Sequence, residues 1–226
     1  MAILVKRTGS LAADGVKILT YGQAGAGKTS LIPTLPSPIA LSAEGGLLSI
    51  KDANIPYIQI STMADLQEAY MWLKEAKEAK EYQSVALDSI SEVAEVVLAD
   101  ELRKNKDGRA AYGELNSTMA ELIRCFRDLP HKNVLMTAKL EKSQDEMGRI
   151  LYAPSMPGKS LTQQLPYFFD FVFPLRVEKD AEGHTRRALM TDGDGLWLAK
   201  SRSRSLSVWE SPDLGAIIRK IGGENE

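Results

Sequence analysis

The chain has 226 residues, with 28 Lys and Arg against 30 Asp and Glu, for a formal net charge of -2. This length suits one α/β domain. The near-neutral charge gives no overall attraction to nucleic acid, so any contact with DNA must come from local basic segments. The single cysteine, Cys125, excludes an intramolecular disulfide framework. No apolar run approaches the roughly 20 residues that a membrane span needs, and MAILVKRTGS lacks the long apolar centre of a signal peptide. We therefore expect a soluble, cytoplasmic protein.

Short apolar segments alternate with amphipathic segments along the chain. Apolar runs of strand length occur at residues 16–21, 39–42, 57–60, 84–88 and 133–137, and apolar positions recur at helical spacing in residues 64–80, 90–102 and 111–129. Strands that alternate with helices are typical of an α/β fold with a mostly parallel central sheet flanked by helices. Two later runs, residues 168–177 and 186–190, predict a C-terminal β-hairpin that extends this sheet.

Two polar segments interrupt the alternation. Residues 104–113 and 139–160 contain glycine and mixed charges, and the second also contains prolines, so we predict two long loops. Loops of that length in a compact domain are usually functional or mobile. The sequence contains no linker, repeat or low-complexity tract, so residues 1–226 are predicted to form a single domain.

The segment GQAGAGKTS follows the first predicted strand and contains the pattern G-x-x-x-x-G-K-[ST]. Glycines in such a loop let successive backbone N–H groups converge on a phosphate at the start of the next helix. The lysine reaches the β- and γ-phosphates, and the threonine hydroxyl ligates Mg²⁺. We therefore predict that ATP and Mg²⁺ bind here; the alternative is a glycine-rich turn without a ligand. The predicted nucleotide-binding residues are Gly22, Gln23, Ala24, Gly25, Ala26, Gly27, Lys28, Thr29 and Ser30.

Two further features of the sequence bear on the phosphate site. Three prolines between residues 33 and 38 predict that the helix after the loop is very short. A second segment, PGKSL, repeats part of the pattern, but Ala153 stands where the first glycine is required and Pro157 has no N–H to offer. The phosphate site is therefore assigned to the first segment.

The predicted strand SVALD ends in an acidic residue, Asp88. Parallel sheets bind ligands at the carboxyl ends of their strands, and an aspartate there holds Mg²⁺ directly or through water; the alternative is that Asp88 caps the next helix. The chain between Lys28 and Asp88 has room for two strands and a long helix. This spacing favours a sheet in which another strand lies between the P-loop strand and the Asp88 strand, as in ATPases with a catalytic glutamate.

A candidate for that glutamate is Glu44 in LSAEGG, just after the predicted strand 39–42. Gly45 and Gly46 leave its carboxylate uncrowded. A carboxylate at the carboxyl edge of the sheet can orient and deprotonate the water that attacks the γ-phosphate. The alternative is a solvated acid in a loop.

The order of six motifs resembles that of phage-encoded, RecA-like nucleotide-binding proteins: GQAGAGKTSL, LSAEGG, VALDSISEV, YGELNSTMAELI, NVLMTAK and PSMPGKSLTQQLPYFFD. The resemblance covers about residues 16–204 and implies a RecA-like P-loop NTPase core. It also implies an ATPase that depends on single-stranded DNA and acts in phage recombination or single-strand annealing. Such a protein would form a homo-oligomeric filament or ring in the host cytoplasm, and a single-strand DNA-binding protein is a further implied partner.

The resemblance also implies roles for residues around the phosphate. Glu44 is similar to the catalytic glutamate of the RecA class, and Thr137 is similar to the polar residue that senses the γ-phosphate. Relatives often have a histidine near position 139, where this chain has Lys139.

The two predicted loops occupy the places of the DNA-binding loops in RecA-like proteins. They combine cations with aromatic rings, a mixture that follows a single-stranded backbone and stacks on bases. The alternative is a pair of solvated, charged loops. The predicted DNA-binding residues are Lys104, Lys106, Arg109, Tyr112, Lys142 and Arg149.

Three cations alternate in the segment LAKSRSRSL: Lys200, Arg202 and Arg204. On a strand all three would lie on one face as an unpaired cationic row. By resemblance, Lys200 and Arg202 are expected to reach the γ-phosphate in a neighbouring subunit. The alternative is a charged edge strand that discourages aggregation.

Two other functions remain open at this stage. A small-molecule P-loop kinase would need an arginine-rich lid and an acceptor pocket; residues 139–160 could pass as a lid but offer only Lys142, Arg149 and Lys159. A non-catalytic, nucleotide-switched loader or adaptor for a replication protein would not need Glu44.

Overall fold

A mostly parallel β-sheet forms the centre of the fold. The structure is a computed structural model and describes residues 14–223. Within that range the strands pair in the order β3-β2-β4-β5-β1-β7-β8-β9, and β6 pairs with β5 outside this row. The strands are β1 (Lys17–Gly22), β2 (Pro38–Ser42), β3 (Tyr57–Gln59), β4 (Ser84–Asp88), β5 (Asn133–Gln144), β6 (Ile150–Ser155), β7 (Phe171–Lys179), β8 (Thr185–Met190) and β9 (Trp209–Glu210).

Helices cover both faces of this sheet. The α-helices are α1 (Met63–Glu75), α2 (Ile90–Lys104), α3 (Gly108–Arg127), α4 (Lys159–Gln164) and α5 (Leu214–Gly222), and short 3-10 helices span Thr29–Thr34, Gly46–Ala53, Glu78–Glu81 and Leu165–Phe168. Buried side chains of α1, α2 and α3 form one core with one face of the sheet. Buried side chains of α5 and of the 3-10 helix after β1 form a second core with the other face. The predicted α/β fold class is therefore confirmed.

The strand order places β5 between the P-loop strand and the Asp88 strand. Strand β1 is parallel to β5 and to β7, and β4 is parallel to β5 and to β2. Every residue of β1 and of β4 is buried, as expected for parallel strands that are covered on both faces. The intervening strand expected from the spacing of Lys28 and Asp88 is confirmed, and this arrangement is that of a RecA-like P-loop NTPase core.

The predicted loop at residues 104–113 is wrong. Helix α2 continues to Lys104 and α3 already begins at Gly108, so three residues connect the two helices. The Asp107 carboxylate accepts a hydrogen bond from the Arg109 N–H and caps α3. Ala111 and Leu115 are buried on the inner face of this helix. Glycines at the polar start of an amphipathic helix therefore imitate a loop in the sequence.

The predicted loop at residues 139–160 is also wrong over most of its length. Strand β5 runs on to Gln144, and β6 returns antiparallel to it, with Lys139 opposite Ser155 and Gln144 opposite Ile150. Asp145 organises the turn, because its carboxylate accepts hydrogen bonds from the N–H groups of Met147 and Arg149. This β5–β6 hairpin extends beyond the core, so it lacks the apolar alternation that marks a half-buried strand.

The C-terminal part of the domain contains the expected hairpin and two elements that the sequence reading omitted. Strands β7 and β8 pair antiparallel, which confirms the hairpin. Strand β9 then pairs with β8, and α5 packs on the 3-10 helix after β1, where the Leu214 N–H donates to the Thr34 hydroxyl at 3.0 Å. Residues 1–13 and 224–226, which include MAILVKRTGS, lie outside the described residues.

Among residues 14–223, no helix combines the length and the apolar character needed to cross a membrane.

Candidate nucleotide-binding site

The candidate site lies at the carboxyl edge of four adjacent strands. In the sheet order β2, β4, β5 and β1 are consecutive, and the segment after β2 contains Glu44, β4 ends in Asp88, β5 contains Thr137 and β1 leads into the P-loop. The pairing register places Ser42 opposite Asp88 and Thr20 opposite Thr137. Four segments far apart in sequence therefore meet at the edge where parallel sheets bind their ligands.

The P-loop has the backbone conformation of a phosphate-binding turn. Gly25 and Gly27 have φ angles of 74° and 101°, which a residue with a side chain rarely adopts. The Ala26 N–H closes the turn by donating to the Gln23 carbonyl at 3.1 Å. Within residues 14–223, the N–H groups of Gly25, Gly27 and Lys28 donate to no backbone or side-chain acceptor. Exposed N–H groups beside the start of a helix are suited to binding an anion.

The Lys28 ammonium group lies inside this turn. Its Nζ donates to the carbonyl oxygens of Gly22 and Gln23 at 3.0 and 3.1 Å. Burial lowers the pKa of Lys28, while the nearby carboxylates of Glu44 and Asp88 oppose that shift. The carbonyl oxygens of Gly22 and Gln23 hold the ammonium group inside the turn. Phosphate oxygens of a bound nucleotide could accept the same hydrogen bonds.

Asp88 is the centre of a buried hydrogen-bond network. It is 2% exposed, and its two carboxylate oxygens accept hydrogen bonds from different hydroxyl groups: Oδ2 from Thr29 Oγ1 at 2.7 Å, and Oδ1 from Thr137 Oγ1. The neighbouring Ser89, not Asp88, caps α2, since its hydroxyl accepts from the Glu92 N–H at 3.4 Å. Asp88 therefore links the P-loop threonine to the residue predicted to sense the γ-phosphate.

This donor set fits a hydrated Mg²⁺ ion. The Thr29 hydroxyl donates its proton to Asp88, so the lone pairs of its oxygen remain available to a cation. Mg²⁺ prefers oxygen ligands and keeps several waters, and a threonine hydroxyl with an aspartate behind it is a common protein contribution beside a triphosphate. Thr29 and Asp88 are the residues that would hold the ion, as the sequence predicts.

Glu44 is exposed, and its backbone is fixed to the Asp88 strand. The N–H groups of Ala43 and Glu44 both donate to the Asp88 carbonyl, at 2.9 and 3.4 Å. A Cβ atom added to Gly46 would lie 3.7 Å from Thr29 Oγ1, so this loop passes beside the P-loop threonine. In the described part of the chain the Glu44 side chain takes part in no ion pair. An exposed carboxylate in this position is available to a water molecule, and its catalytic role remains a prediction.

Lys139 lies two residues beyond Thr137 on the same strand. Its Nζ forms ion pairs with Glu92 at 2.7 Å and Glu95 at 2.9 Å, and hydrogen bonds to these two carboxylates raise the pKa of Lys139. The Lys139 N–H donates to the Ser91 hydroxyl, which in turn donates to the Ser155 carbonyl. The first turn of α2 is therefore bonded to the base of the β5–β6 hairpin.

The residues predicted to bind DNA are exposed, but they differ in whether an acid neutralises them. Lys104 pairs with Asp100 and Glu101, and Arg149 pairs with Asp145. The other three cations form no ion pair among residues 14–223: Lys106, Arg109 and Lys142. Tyr112 is 42% exposed and packs against Gly158, where an added Cβ would lie 3.3 Å from its ring.

The predicted unpaired cationic row at Lys200, Arg202 and Arg204 is wrong. The segment is not a strand; Lys200 makes one isolated bridge to Val172. Lys200 Nζ donates to the carbonyls of Pro166 and Phe169 at 3.1 and 2.7 Å, and Arg202 pairs with Asp170 at 2.6 Å. These partners are more than thirty residues earlier in the chain, so residue spacing within the segment could not indicate them.

Sequence reasoning missed one residue at this site, Arg187 on β8. Its Nε donates to the carbonyl of Ala26 in the P-loop at 2.9 Å. The segment TRRALM gives no sign of this contact, because the two residues are 161 positions apart.

The loop, the buried Asp88 network and the strand order together define a P-loop NTPase, and the nucleotide-binding part of the sequence interpretation is supported. Comparison with known protein families identifies the family of this chain. The sequence matches the family described as AAA domain over residues 14–203, so the chain belongs to the AAA domain family.

Two further comparisons complete this result. No curated protein matches the sequence. Among solved structures, the flagellar accessory protein FlaH from Methanocaldococcus jannaschii is similar at 13% identity, with 79% of this chain and 78% of that chain covered and a TM-score of 0.41. The phage origin and the recombinase subfamily suggested by the motifs remain predictions.

Proposed function

We propose that this protein is an ATPase that depends on single-stranded DNA and acts in recombination or single-strand annealing. The observation that carries the ATPase part of the proposal is the junction of Lys28, Thr29, Asp88 and Thr137 with the exposed Glu44 at one edge of the sheet. This arrangement supplies a phosphate-binding turn, a cation-binding pair and a carboxylate for a water molecule. Those are the groups that phosphoryl transfer to water requires.

In the proposed reaction the Glu44 carboxylate takes a proton from a water molecule whose oxygen attacks the γ-phosphorus. The bond between the γ-phosphorus and the bridging oxygen breaks, and ADP and phosphate leave. Lys28 supplies positive charge next to the β- and γ-phosphates, and Thr137 fixes one oxygen of Asp88. Mg²⁺, when bound by Thr29 and Asp88, supplies charge neutralisation of the phosphates.

The DNA dependence is supported by the resemblance and by the course of strand β5. This strand contains Thr137 at the phosphate end and continues into the hairpin that contains Lys142, which forms no ion pair with any residue in 14–223. Lys106 and Arg109, at the start of α3, add two more exposed cations without acidic partners among the described residues. A backbone of phosphates is the ligand that scattered, exposed cations of this kind suit best.

The kinase alternative loses its main support. The segment 139–160, which could have been a mobile lid, is mostly a hairpin in register with β5 and tied to α2 through Ser91. A lid must open and close over its substrate. The non-catalytic loader differs from our proposal in not requiring Glu44.

ATP turnover with and without single-stranded DNA tests the proposal. We expect turnover in the parent protein, stimulation by DNA, and loss of nucleotide binding or turnover in Lys28→Ala. Lys77→Ala, at an exposed position just after α1, is the control for removal of a positive charge and should behave like the parent. A folded Lys28→Ala protein with unchanged binding and hydrolysis would contradict the site, and hydrolysis that ignores DNA would contradict the DNA role.

A further inference from the structure

Arg187 reaches the P-loop from two strands away. Strand β8 is separated from β1 by β7, and the Arg187 side chain crosses that distance so that its Nε donates to the Ala26 carbonyl at 2.9 Å. A Cβ built on Gly27 would lie 3.4 Å from Arg187 Nε and 4.0 Å from Leu175 on β7. The arginine therefore lies directly against the phosphate-binding turn of its own chain.

This contact fixes the orientation of one peptide group. In a trans peptide the C=O and the following N–H point in opposite directions. The Ala26 carbonyl is directed at Arg187, so the Gly27 N–H is directed away from Arg187. The Ala26 N–H is already bonded to the Gln23 carbonyl. Both peptide groups of Ala26 are thus held, and the Gly27 N–H is left as a donor.

The two neighbouring arginines, Arg186 and Arg187, differ in whether an acid neutralises them. Arg186 pairs with Asp180 at 3.0 Å in the turn of the β7–β8 hairpin. Arg187, the next residue along the strand, projects to the other face and forms no ion pair within residues 14–223. A guanidinium group has five N–H donors. Arg187 therefore brings an uncompensated positive charge to the P-loop and uses its Nε on a loop carbonyl.

We propose that Arg187 is a positioning residue for the nucleotide phosphates, acting within its own subunit. It holds the Ala26–Gly27 peptide so that the Gly27 N–H is available to a phosphate oxygen, and its charge favours an anion at the turn. This role deepens the proposed function and rests on it in one respect only, that the turn binds nucleotide phosphates. It differs from the role expected of Lys200 and Arg202, which would act on a neighbouring subunit.

The test compares Arg187→Met with Arg186→Met, a matched control on the opposite face of the same strand. The probes are a fluorescent N-methylanthraniloyl-ADP with Mg²⁺, and inorganic tripolyphosphate as its competitor. Arg187→Met should bind both about tenfold more weakly, the usual scale for one lost charge-assisted contact, and Arg186→Met should bind like the parent. Arg187→Lys should recover most of the affinity, because its ammonium group can donate to the same carbonyl.

If Arg187→Met loses the same factor of affinity for the nucleotide and for tripolyphosphate, the lost interaction is with the phosphates. In turnover, KM for ATP should rise with little change in kcat, since the contact is made in the ground state and in the transition state alike. Unchanged affinity in a folded Arg187→Met protein would overturn the inference. If that variant does not fold, Arg187→Gln replaces it: parental affinity for both probes would again overturn the inference, and a weaker affinity for both would support it.

The result of the Arg187 test can be distinguished from the result of the test for the proposed ATPase. A parent protein that binds the fluorescent ADP but hydrolyses no ATP with DNA contradicts the proposed ATPase, while the affinity ratio still decides the role of Arg187. A parent protein that binds neither probe overturns both.

Discussion

The two halves of strand β5 differ in how their side chains are held. From Val134 to Ala138 every residue is buried between β4 and β1, and Thr137 is bonded to Asp88. From Ser143 onward the strand is exposed and pairs only with β6. The buried half has one possible arrangement, because neighbouring strands fix it on both sides. The exposed end is held by its ladder with β6 and by the turn at Asp145.

The same contrast separates the candidate nucleotide site from the surface proposed for DNA and from the cations that the resemblance assigns to a neighbouring subunit. The nucleotide site rests on buried strand ends and short hydrogen bonds. The other surfaces rest on exposed cations, some of which form ion pairs at the surface, such as Arg202 with Asp170 and Arg149 with Asp145. Exposed pairs of this kind contribute little stability. A phosphate can therefore replace the acid, but the pair must first be broken, so a paired cation should contribute less to phosphate binding than an unpaired one.

The largest predicted effect concerns the second subunit. Replacing Lys200 and Arg202 together by glutamine should reduce turnover about 1000-fold, the scale of a lost cation at the transferred phosphate, while each subunit still binds ATP. Arg204→Gln, an exposed neighbour, is the control. Mixing the double variant with Glu44→Gln should restore turnover, because one interface in the mixture pairs an intact Glu44 with intact cations. Mixtures that stay inactive at every ratio would show that no site is shared.

The next largest effect concerns the Glu44 carboxylate at the carboxyl edge of the sheet. Glu44→Gln keeps the size of the side chain and removes the base, so hydrolysis should fall about 100-fold or more with ATP affinity retained. Turnover and fluorescent-nucleotide binding measured on the same preparation check this. A variant that hydrolyses ATP like the parent would make Glu44 a solvated loop acid and place the catalytic base elsewhere.

Smaller effects should separate the paired from the unpaired surface cations. Lys106→Gln and Lys142→Gln should each weaken binding to single-stranded DNA and lower the slope of log affinity against log salt by about 0.7. Lys104→Gln should change both less, because Asp100 and Glu101 already neutralise that lysine. The measurement is fluorescence anisotropy of a labelled oligonucleotide over a range of salt concentrations. Equal effects at all three positions would place the DNA elsewhere.

The smallest effect concerns the opposite end of β1. Burial lowers the pKa of Lys17 to about 8, although Asp128, Asp170 and Asp14 oppose that shift. The unfolded chain, with a pKa of about 10.5 for this lysine, binds more protons between pH 8 and pH 10.5. The free energy of unfolding should therefore rise with pH across this window and be insensitive to this lysine below it.

In Lys17→Met that rise should be smaller by about 1 to 3 kcal/mol, with nucleotide affinity unchanged. Urea unfolding at pH 7, 8, 9 and 10 measures it, and Lys51→Met, at an exposed position, is the control. Parallel pH profiles for the parent and Lys17→Met would contradict the assigned shift.

Much of the nucleotide edge could be predicted from sequence because its signals are local. The P-loop pattern, the strand that ends in Asp88 and the position of Glu44 each occupy fewer than ten consecutive residues, and the spacing between them indicated the intervening strand. The exposed parts were predicted less well, since the polar first turn of α3 and the hairpin outside the core lack apolar periodicity. The contacts of Arg187 and Arg202 join residues far apart in the chain, so only the fold shows them.

Strand β5 runs from the nucleotide edge into the hairpin proposed to contact DNA, so we expect the two sites to be coupled. The most direct test is the affinity of Glu44→Gln, which cannot turn ATP over, for a labelled single-stranded oligonucleotide in the presence of Mg²⁺ with ATP or with ADP. We predict binding about tenfold tighter with ATP, a typical coupling between two sites, and the same factor in ATP affinity when DNA is present. Equal DNA affinity with both nucleotides would contradict the coupling.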